Sequence, residues 1–356
     1  MFSIVIFLFV LSVLVIIHEF GHFIAAKRQG VKVEKFSFGF GPKLFGIKRN
    51  DTEYTVCLIL LGGYVKMAGD EADSAEGKPW EFLSKSVGQR FKIVFLGPLL
   101  NYLLGFLLFW AIFFVGSPTI TNKVGDILKG YPAQKAKILK DDRIVSVDGK
   151  ATKYWEELTE IIHNKKEGDL TLMIERPTKS GIKNFEIKVA PKRIEITDIF
   201  GKRRTISLVG IAPAEEIVSV RYGFLASFFK AAERIYKLTE ITCKSLLFIF
   251  TGKMSVKESV TGPIGMFIIT SKAAQLGIVY LLQMMAVLSA SLAIFNLLPV
   301  PVLDGGHILF LLIEKIRGKP LSARVQEIAT QLGLALLIAL MLFASYSDLL
   351  KFVVKR

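Results

Sequence analysis

The densest chemistry in this sequence is His18-Glu19-Phe20-Gly21-His22, set inside an apolar run from Phe2 to Ala26. On a helix, side chains four residues apart share one face about a turn apart, so both imidazoles project the same way. Two nitrogen donors so arranged suit a tetrahedral zinc, and the Glu19 carboxylate beside the first of them is in reach of a water on that metal, as a general base. Zinc lowers the pKa of such a water to near neutrality and polarises a carbonyl, which is the chemistry of hydrolysis. Three ionisable groups within one turn of a membrane span are costly and mark function, the structural alternative being His–Glu pairing between helices.

Two histidines do not complete a catalytic zinc site, which takes three protein ligands and an open position. Soluble enzymes built on this motif draw the third from a downstream Glu or His. Here the metzincin spacing is absent, because Ala25 stands where a glycine is needed and the next histidine is His163, outside the apolar runs. The acidic residue within or bordering the later apolar runs, apart from the peripheral Glu314 and Asp348, is Asp304. It lies in Asn296-Leu297-Leu298-Pro299-Val300-Pro301-Val302-Leu303-Asp304-Gly305-Gly306, where two prolines and two glycines interrupt a helix and free backbone groups. Broken helices at membrane depth line sites, although an aspartate capping the end of a span is the plainer reading of Asp304. His307, three residues on, is a candidate partner for it.

The elements that position these residues are predicted to cross a membrane. Of 356 residues, 52% are hydrophobic, and the mean hydropathy is +0.47, a value that long apolar runs produce. The net charge of +15, from 46 Lys+Arg against 31 Asp+Glu, marks cytosolic loops and contacts with lipid headgroups. No base-reading motif accompanies it, so nucleic acid is not an expected partner. Cys57 and Cys243 form neither a disulfide framework nor a cysteine zinc site and read as packed thiols. Spans are predicted at 2–26, 93–115, 278–298 and 328–350. The first is not a cleavable leader, since Met1-Phe2-Ser3 carries no positive side chain and no small-x-small site follows. Lys27 and Arg28 after the first span, Arg90 and Lys92 before the second, and Lys315, Arg317, Lys319 and Arg324 before the fourth put those ends in the cytosol and both termini outside. His18, His22 and Asp304 then fall at one depth, toward the cytosolic side.

Between the first two spans, Val33 to Tyr64 is β-branched and aromatic, broken by Gly39, Gly41-Pro42, Gly46 and the polar turn Lys48-Arg49-Asn50-Asp51. It reads as one or two β-hairpins. The continuous apolar run Val56 to Leu61 either dips into the bilayer, buried in protein or lining a cavity, or touches headgroups from the cytosol. Residues 117–213 form a polar outer domain with strands near Thr171–Glu175 and Phe185–Val189 and a helix from Tyr154 to His163. Gly130-Tyr131-Pro132-Ala133 and Asp141-Asp142-Arg143-Ile144-Val145-Ser146-Val147-Asp148-Gly149 resemble the core of PDZ domains in bacterial proteases, with Asp141 where that family has glycine. Such a domain either binds extended peptide by strand addition or serves as a spacer or size filter. In 224–250, Lys230, Glu233, Arg234, Lys237, Glu240 and Lys244 line one stripe of an otherwise apolar helix, which suits the membrane interface. The predicted class is a multi-pass α-helical membrane protein of about four transmembrane helices, with a membrane-associated β-hairpin element and one inserted PDZ-like α+β domain. Its predicted divisions are 1–116 (first catalytic membrane half), 117–213 (PDZ-like), 214–275 (interfacial helical segment) and 276–356 (second catalytic membrane half).

His-Glu-x-x-His in the first span, Leu303-Asp304-Gly305 in a later one and the intervening PDZ-like region resemble the site-2 protease family of intramembrane zinc metalloproteases, in its bacterial branch acting on anti-sigma factors. Gly39-Phe40-Gly41-Pro42, Gly62-Gly63-Tyr64-Val65, Gly97-Pro98-x-x-Asn101 and Asn296-x-x-Pro299 add to the likeness, which reaches from residue 18 to about 310. The resemblance implies that His18, His22 and Asp304 ligate Zn2+, that Glu19 is the base, and that Asn296 holds the substrate backbone or the oxyanion. It implies that the segment Val56–Val65 clamps substrate as an added strand. It also implies an inner-membrane enzyme, surrounded by lipid, cutting single-span proteins such as anti-sigma factors or signal-peptide remnants after prior trimming. Room for one PDZ-like domain rather than two separates this chain from the enterobacterial relatives. Asn101 and Asn296 also read as hydrogen-bonding glue between helices. An intramembrane metal transporter and a catalytically idle PDZ-bearing scaffold are the competing functions; the second and fourth spans, which lack a chain of ionisable groups, speak against the first and an intact Glu19 against the second.

Overall fold

The computed structural model describes residues 2–71, 75–197, 203–255 and 260–351. Parts of the predicted PDZ-like and interfacial segments, 198–202 and 256–259, thus lie outside the described residues. The chain divides into two compact units, one made of 1–112 with 225–356 and one of 113–224.

Helix α1 (Phe2–Arg28) ends on Lys27 and Arg28. Gly30, at φ +68°, turns the chain out of it, and the Val31 N–H reaches back to the Ala26 carbonyl at 2.9 Å. Strands β1 (Val33–Arg49) and β2 (Thr52–Met67) follow, antiparallel about Asn50 at φ +53°. Their pairing is more than one hairpin, because the start of β1 has partners on both sides. Phe36 faces both Tyr54 and Val65, and Phe38 faces both Val56 and Gly63, while 45–49 pairs with 52–56. Gly39 and Gly41, at φ +91° and +83°, let β1 fold back to do this. The result is four short strands in the order 45–49, 52–56, 35–38, 63–67, with 63–67 at one edge. Phe45, Ile47, Leu58 and Ile59 are left exposed, a composition that water does not favour. Helix α2 (Val87–Val115) comes next and carries Pro98 in its interior.

The unit 113–224 is built on an antiparallel sheet of β5 (Arg143–Val147), β6 (Lys150–Ala151), β7 (Leu170–Thr178) and β8 (Gly181–Val189), in the order β6-β5-β7-β8. Asp148 and Gly149, both at positive φ, form the two-residue turn between β5 and β6 that matches strand twist. Helix α4 (Trp155–Asn164) sets Leu158 and Ile162 into a core with Ile144, Leu170, Leu172 and Ile174. The short helix α3 (Pro132–Lys135) adds Ala133 to it. Three two-stranded ladders complete the unit: β9 (Lys192–Thr197) with β10 (Arg203–Leu208), β4 (Val124–Ile127) with β11 (Ile211–Pro213), and β3 (Ser117–Ile120) with β12 (Ile217–Val220). The last ladder carries the unit beyond the expected limit of 213, because residues 217–220 take their structure from the distant strand they pair with. Asp141 sits at φ +70°, so the turn asks for the left-handed backbone that glycine adopts freely, and an aspartate supplies it. A groove of about 240 Å³ runs between α4 and 208–211, lined by Leu158, Ile162, His163 and Ile211 among others.

Beyond it lie α5 (Phe224–Phe250), α6 (Pro263–Leu276), α7 (Ile278–Asn296), α8 (Asp304–Arg317) and α9 (Ala323–Leu349). Among the described residues four helices, α1, α2, α7 and α9, are long and apolar enough to cross a membrane, with mean hydropathies from 2.0 to 2.6. These are the four spans read from the sequence; α2 and α9 begin earlier than their apolar stretches because the polar first turns are helical too. On α5 the expected charged stripe is exposed and internally paired, Lys237 to Glu233 at 2.7 Å and Lys244 to Glu240. The predicted segment 214–275 divides into β12, α5 and α6, the last opened by Gly262-Pro263, where proline sits in the first turn at no cost in hydrogen bonds.

Candidate metal centre

Helix α1 presents His18 and His22 on one face, their rings perpendicular with centroids 4.8 Å apart and their Nε2 atoms 3.3 Å apart. Asp304 reaches them from the first residue of α8, where the helix N-terminus favours a carboxylate. Its Oδ2 lies 3.1 Å from His18 Nε2 and its Oδ1 3.5 Å from His22 Nε2. The chain arrives there through the break 297–303. Two glycines make the reversal possible: a Cβ on Gly305 would strike the carbonyls of Leu297 and Leu298, and one on Gly306 that of Val300. Gly333 of α9 backs the same turn, where a side chain would press on Val302 and Pro301.

A zinc with bonds of 2.0–2.1 Å in a tetrahedron needs its ligand atoms about 3.3 Å apart. The two Nε2 atoms, 3.3 Å apart, meet that spacing, and Asp304 brings one carboxylate oxygen to 3.1 Å from the first and the other to 3.5 Å from the second, one ligand atom of each residue lying within 4.8 Å of the others. The Asp304 Oδ2 is buried and has no hydrogen-bond partner among the described residues, and a buried carboxylate oxygen beside two imidazoles is what a cation would satisfy. The donor set, two imidazoles and one carboxylate, is one that zinc takes in hydrolytic enzymes.

Helix α2 orients the second histidine. His22 Nδ1 donates to the Ile93 carbonyl at 2.9 Å, which fixes the proton on that nitrogen and turns the Nε2 lone pair to the centre. Gly97 makes room for the ring, since any Cβ there would collide with the His22 imidazole. Gly21, inside the motif, does the same for the α2 backbone: its Cβ would lie 2.7 Å from the Leu96 carbonyl carbon and 2.8 Å from Gly97 Cα. The sequence carried a signal for this contact in the glycines, but none for Ile93, whose contribution is a main-chain oxygen.

Glu19 is half-buried and lies against β2. Gly63 passes beside it; a Cβ there would stand 3.6 Å from Glu19 Cγ. Ser12 Oγ also donates to the Leu60 carbonyl at 2.9 Å, so β2 runs along α1 on both sides of the base. Asn296, the last residue of α7, brings its Nδ2 to 3.3 Å from His18 Nε2. The five residues singled out in the sequence, His18, Glu19, His22, Asn296 and Asp304, therefore meet. His307 sets its ring edge-on to Phe310 and makes no hydrogen bond to Asp304 among the described residues. Asn101 lies fully buried in α2, its carbonyl accepting from Ser289 Oγ of α7 at 2.7 Å. Below the centre, buried Arg90 pairs with Glu314, tying the start of α2 to α8.

A model of peptidase family M50 matches residues 6–340 of the chain. The regulator of sigma E protease of Haemophilus influenzae is 31% identical, over 97% of this chain and 98% of that protein. Zinc metalloprotease RasP of Oceanobacillus iheyensis is 29% identical, over 98% of this chain and 99% of that protein. The first alignment runs over 434 positions against the chain's 356 residues, so that relative carries insertions absent here.

Proposed function

We infer from the membership of this chain in peptidase family M50 that its zinc is held by His18, His22 and Asp304 and its proton transfers are made by Glu19. The chain is a membrane zinc metalloprotease, with Zn2+ as its cofactor. The observation that carries the residue assignment is the convergence of His18, His22 and Asp304 from two separate helices, one ligand atom of each lying within 4.8 Å of the others.

When bound, zinc supplies a Lewis acid that polarises the scissile carbonyl and acidifies a water. The chain's own residues do the rest. Glu19, lying beside Gly63 of β2, accepts the proton of the attacking water and returns it to the departing amine. The Asn296 amide, beside His18, donates to the oxygen on which negative charge develops. The edge segment 63–66, paired with β1 on one side, offers its other side to an extended substrate. A transmembrane helix has its carbonyls bonded internally and resists hydrolysis; drawn out as an added strand it exposes the scissile bond while its backbone stays satisfied.

The substrate class follows the relative named for sigma E regulation: single-span membrane proteins such as anti-sigma factors, cut after an earlier trimming step. The basic flanks at Lys27, Arg28, Arg90, Lys92 and 315–324 favour a site toward the cytosolic face of the inner membrane. Residues 113–224 then stand outside the cytosol as the PDZ-like domain, and the groove beside α4 is where a peptide strand would lie. Neither transport nor an idle scaffold is favoured.

The test is a single-span reporter expressed with the wild-type chain or Glu19→Gln. Cleavage should fall by about 10²- to 10⁴-fold, the span of a general base, with zinc content unchanged. Equal cleavage by the variant would remove Glu19 from this role.

A further inference from the structure

Two buried groups near the centre are left without partners. His18 Nδ1 has no hydrogen bond among the described residues, and neither has either amide atom of Asn101, although that side chain is wholly buried. Both kinds of group are rarely left so inside a protein.

The register of α1 on α2 brings them to one level. His22 touches Gly97 and bonds to Ile93, Gly21 lies against Leu96 and Gly97, and farther along Val10 and Leu14 share a cluster with Leu104 and Leu108. The helices therefore run antiparallel. Four residues back from His22 is His18; four residues forward from Gly97 is Asn101. Each step covers about 6 Å along its axis, in the same direction in space. With His18 Nε2 turned to the centre, its Nδ1 carries the proton and requires an acceptor, as His22 Nδ1 has in the Ile93 carbonyl.

We propose that Asn101 is the positioning residue for His18, its Oδ1 taking the Nδ1–H directly or through one buried water. Helix α2 then orients both histidines, one through a main-chain carbonyl and the other through a side chain. A polar room for one water between two unsatisfied groups is where buried waters are found. The proposal rests on the zinc reading above.

The test is zinc release to a chelator from the full chain in detergent. Asn101→Leu, which keeps the volume and removes the acceptor, should raise the readiness of release by about ten- to a hundredfold. Asn101→Asp, which keeps an acceptor, should hold zinc as the wild type does. Ser289→Ala removes the hydrogen bond to the Asn101 carbonyl and so loosens the same helix contact, but it should leave zinc retention alone. Unchanged retention in Asn101→Leu, or release from Ser289→Ala matching it, would overturn the proposal in favour of simple helix packing. A measurement on the wild type stands if a variant does not fold. Among the four histidines, labelled with ¹⁵N, His18 should show an Nδ1–H protected from exchange in the metal-free chain; free exchange would refute the contact. Wild-type zinc binding tests the metal centre, and the histidine spectrum and variant differences test Asn101, so the two readings fail separately.

Discussion

The two compact units treat buried polar groups in opposite ways. In 113–224 they are closed off. Asn122 donates to the Ile144 and Thr152 carbonyls at 2.8 and 2.7 Å, and Asp142, wholly buried, takes two 2.7 Å bonds from Arg176 and one of 2.8 Å from the Leu139 N–H. Among the described residues of that unit only the Thr121 hydroxyl is buried without a partner. In the unit of helices, His18 Nδ1, the Asn101 amide, Asp304 Oδ2 and Asp348 Oδ1 are buried and incomplete. Satisfied networks rigidify a scaffold, whereas incomplete ones mark where an ion, a water or a substrate belongs. The lesson is that unsatisfied atoms, rather than charge or burial alone, separate the reacting region from the supporting one.

That contrast can be broken by substitution. Asp304→Ala should have the largest effect, removing a ligand: zinc affinity should fall by more than the roughly hundredfold expected of outer partners, and cleavage with it, while the unfolding of 113–224 stays unchanged. Metal analysis of the purified chain reads the first result and hydrogen exchange the second. Asp142→Ala should do the reverse. It takes the acceptor from the Leu139 N–H and leaves the Arg176 guanidinium with the Lys137 carbonyl, and it should destabilise residues 113–224 by about 1–3 kcal/mol with zinc content intact, a value that denaturant-dependent exchange measures. Gly97→Ala is the smallest and the most diagnostic. Its methyl meets the His22 ring, so about 1–3 kcal/mol of overpacking strain should appear as weaker zinc binding as well as lower stability. A Gly97→Ala chain that lost stability but bound zinc normally would show that the ring can move aside, and that α2 does not set its position.

Much of this arrangement was legible in the residues themselves. The spacing of His18 and His22 follows from helix geometry, and Asp304 stands out as an acidic group beside a broken span. Long apolar runs announced the four membrane-length helices. What escaped was carried by the backbone. Any residue at position 93 would present a carbonyl, so no residue type announces the partner of His22. The strand 217–220 escaped for a related reason, since four residues become a strand only through pairing with 117–120. The doubled pairing of 35–38 depends on the backbone freedom at Gly39 and Gly41; the glycines were visible, but the fold-back they allow was not.

Asp304 joins His18 and His22 across nearly the whole chain, and that distance has a meaning in time. A ribosome adding about 5–20 residues per second makes the two histidines on the order of a quarter-minute to a minute before the aspartate. On the proposed reading the nascent chain through that interval holds a base and two donors but lacks the third. A chain whose synthesis stops before residue 304 should then be unable to cut its neighbours.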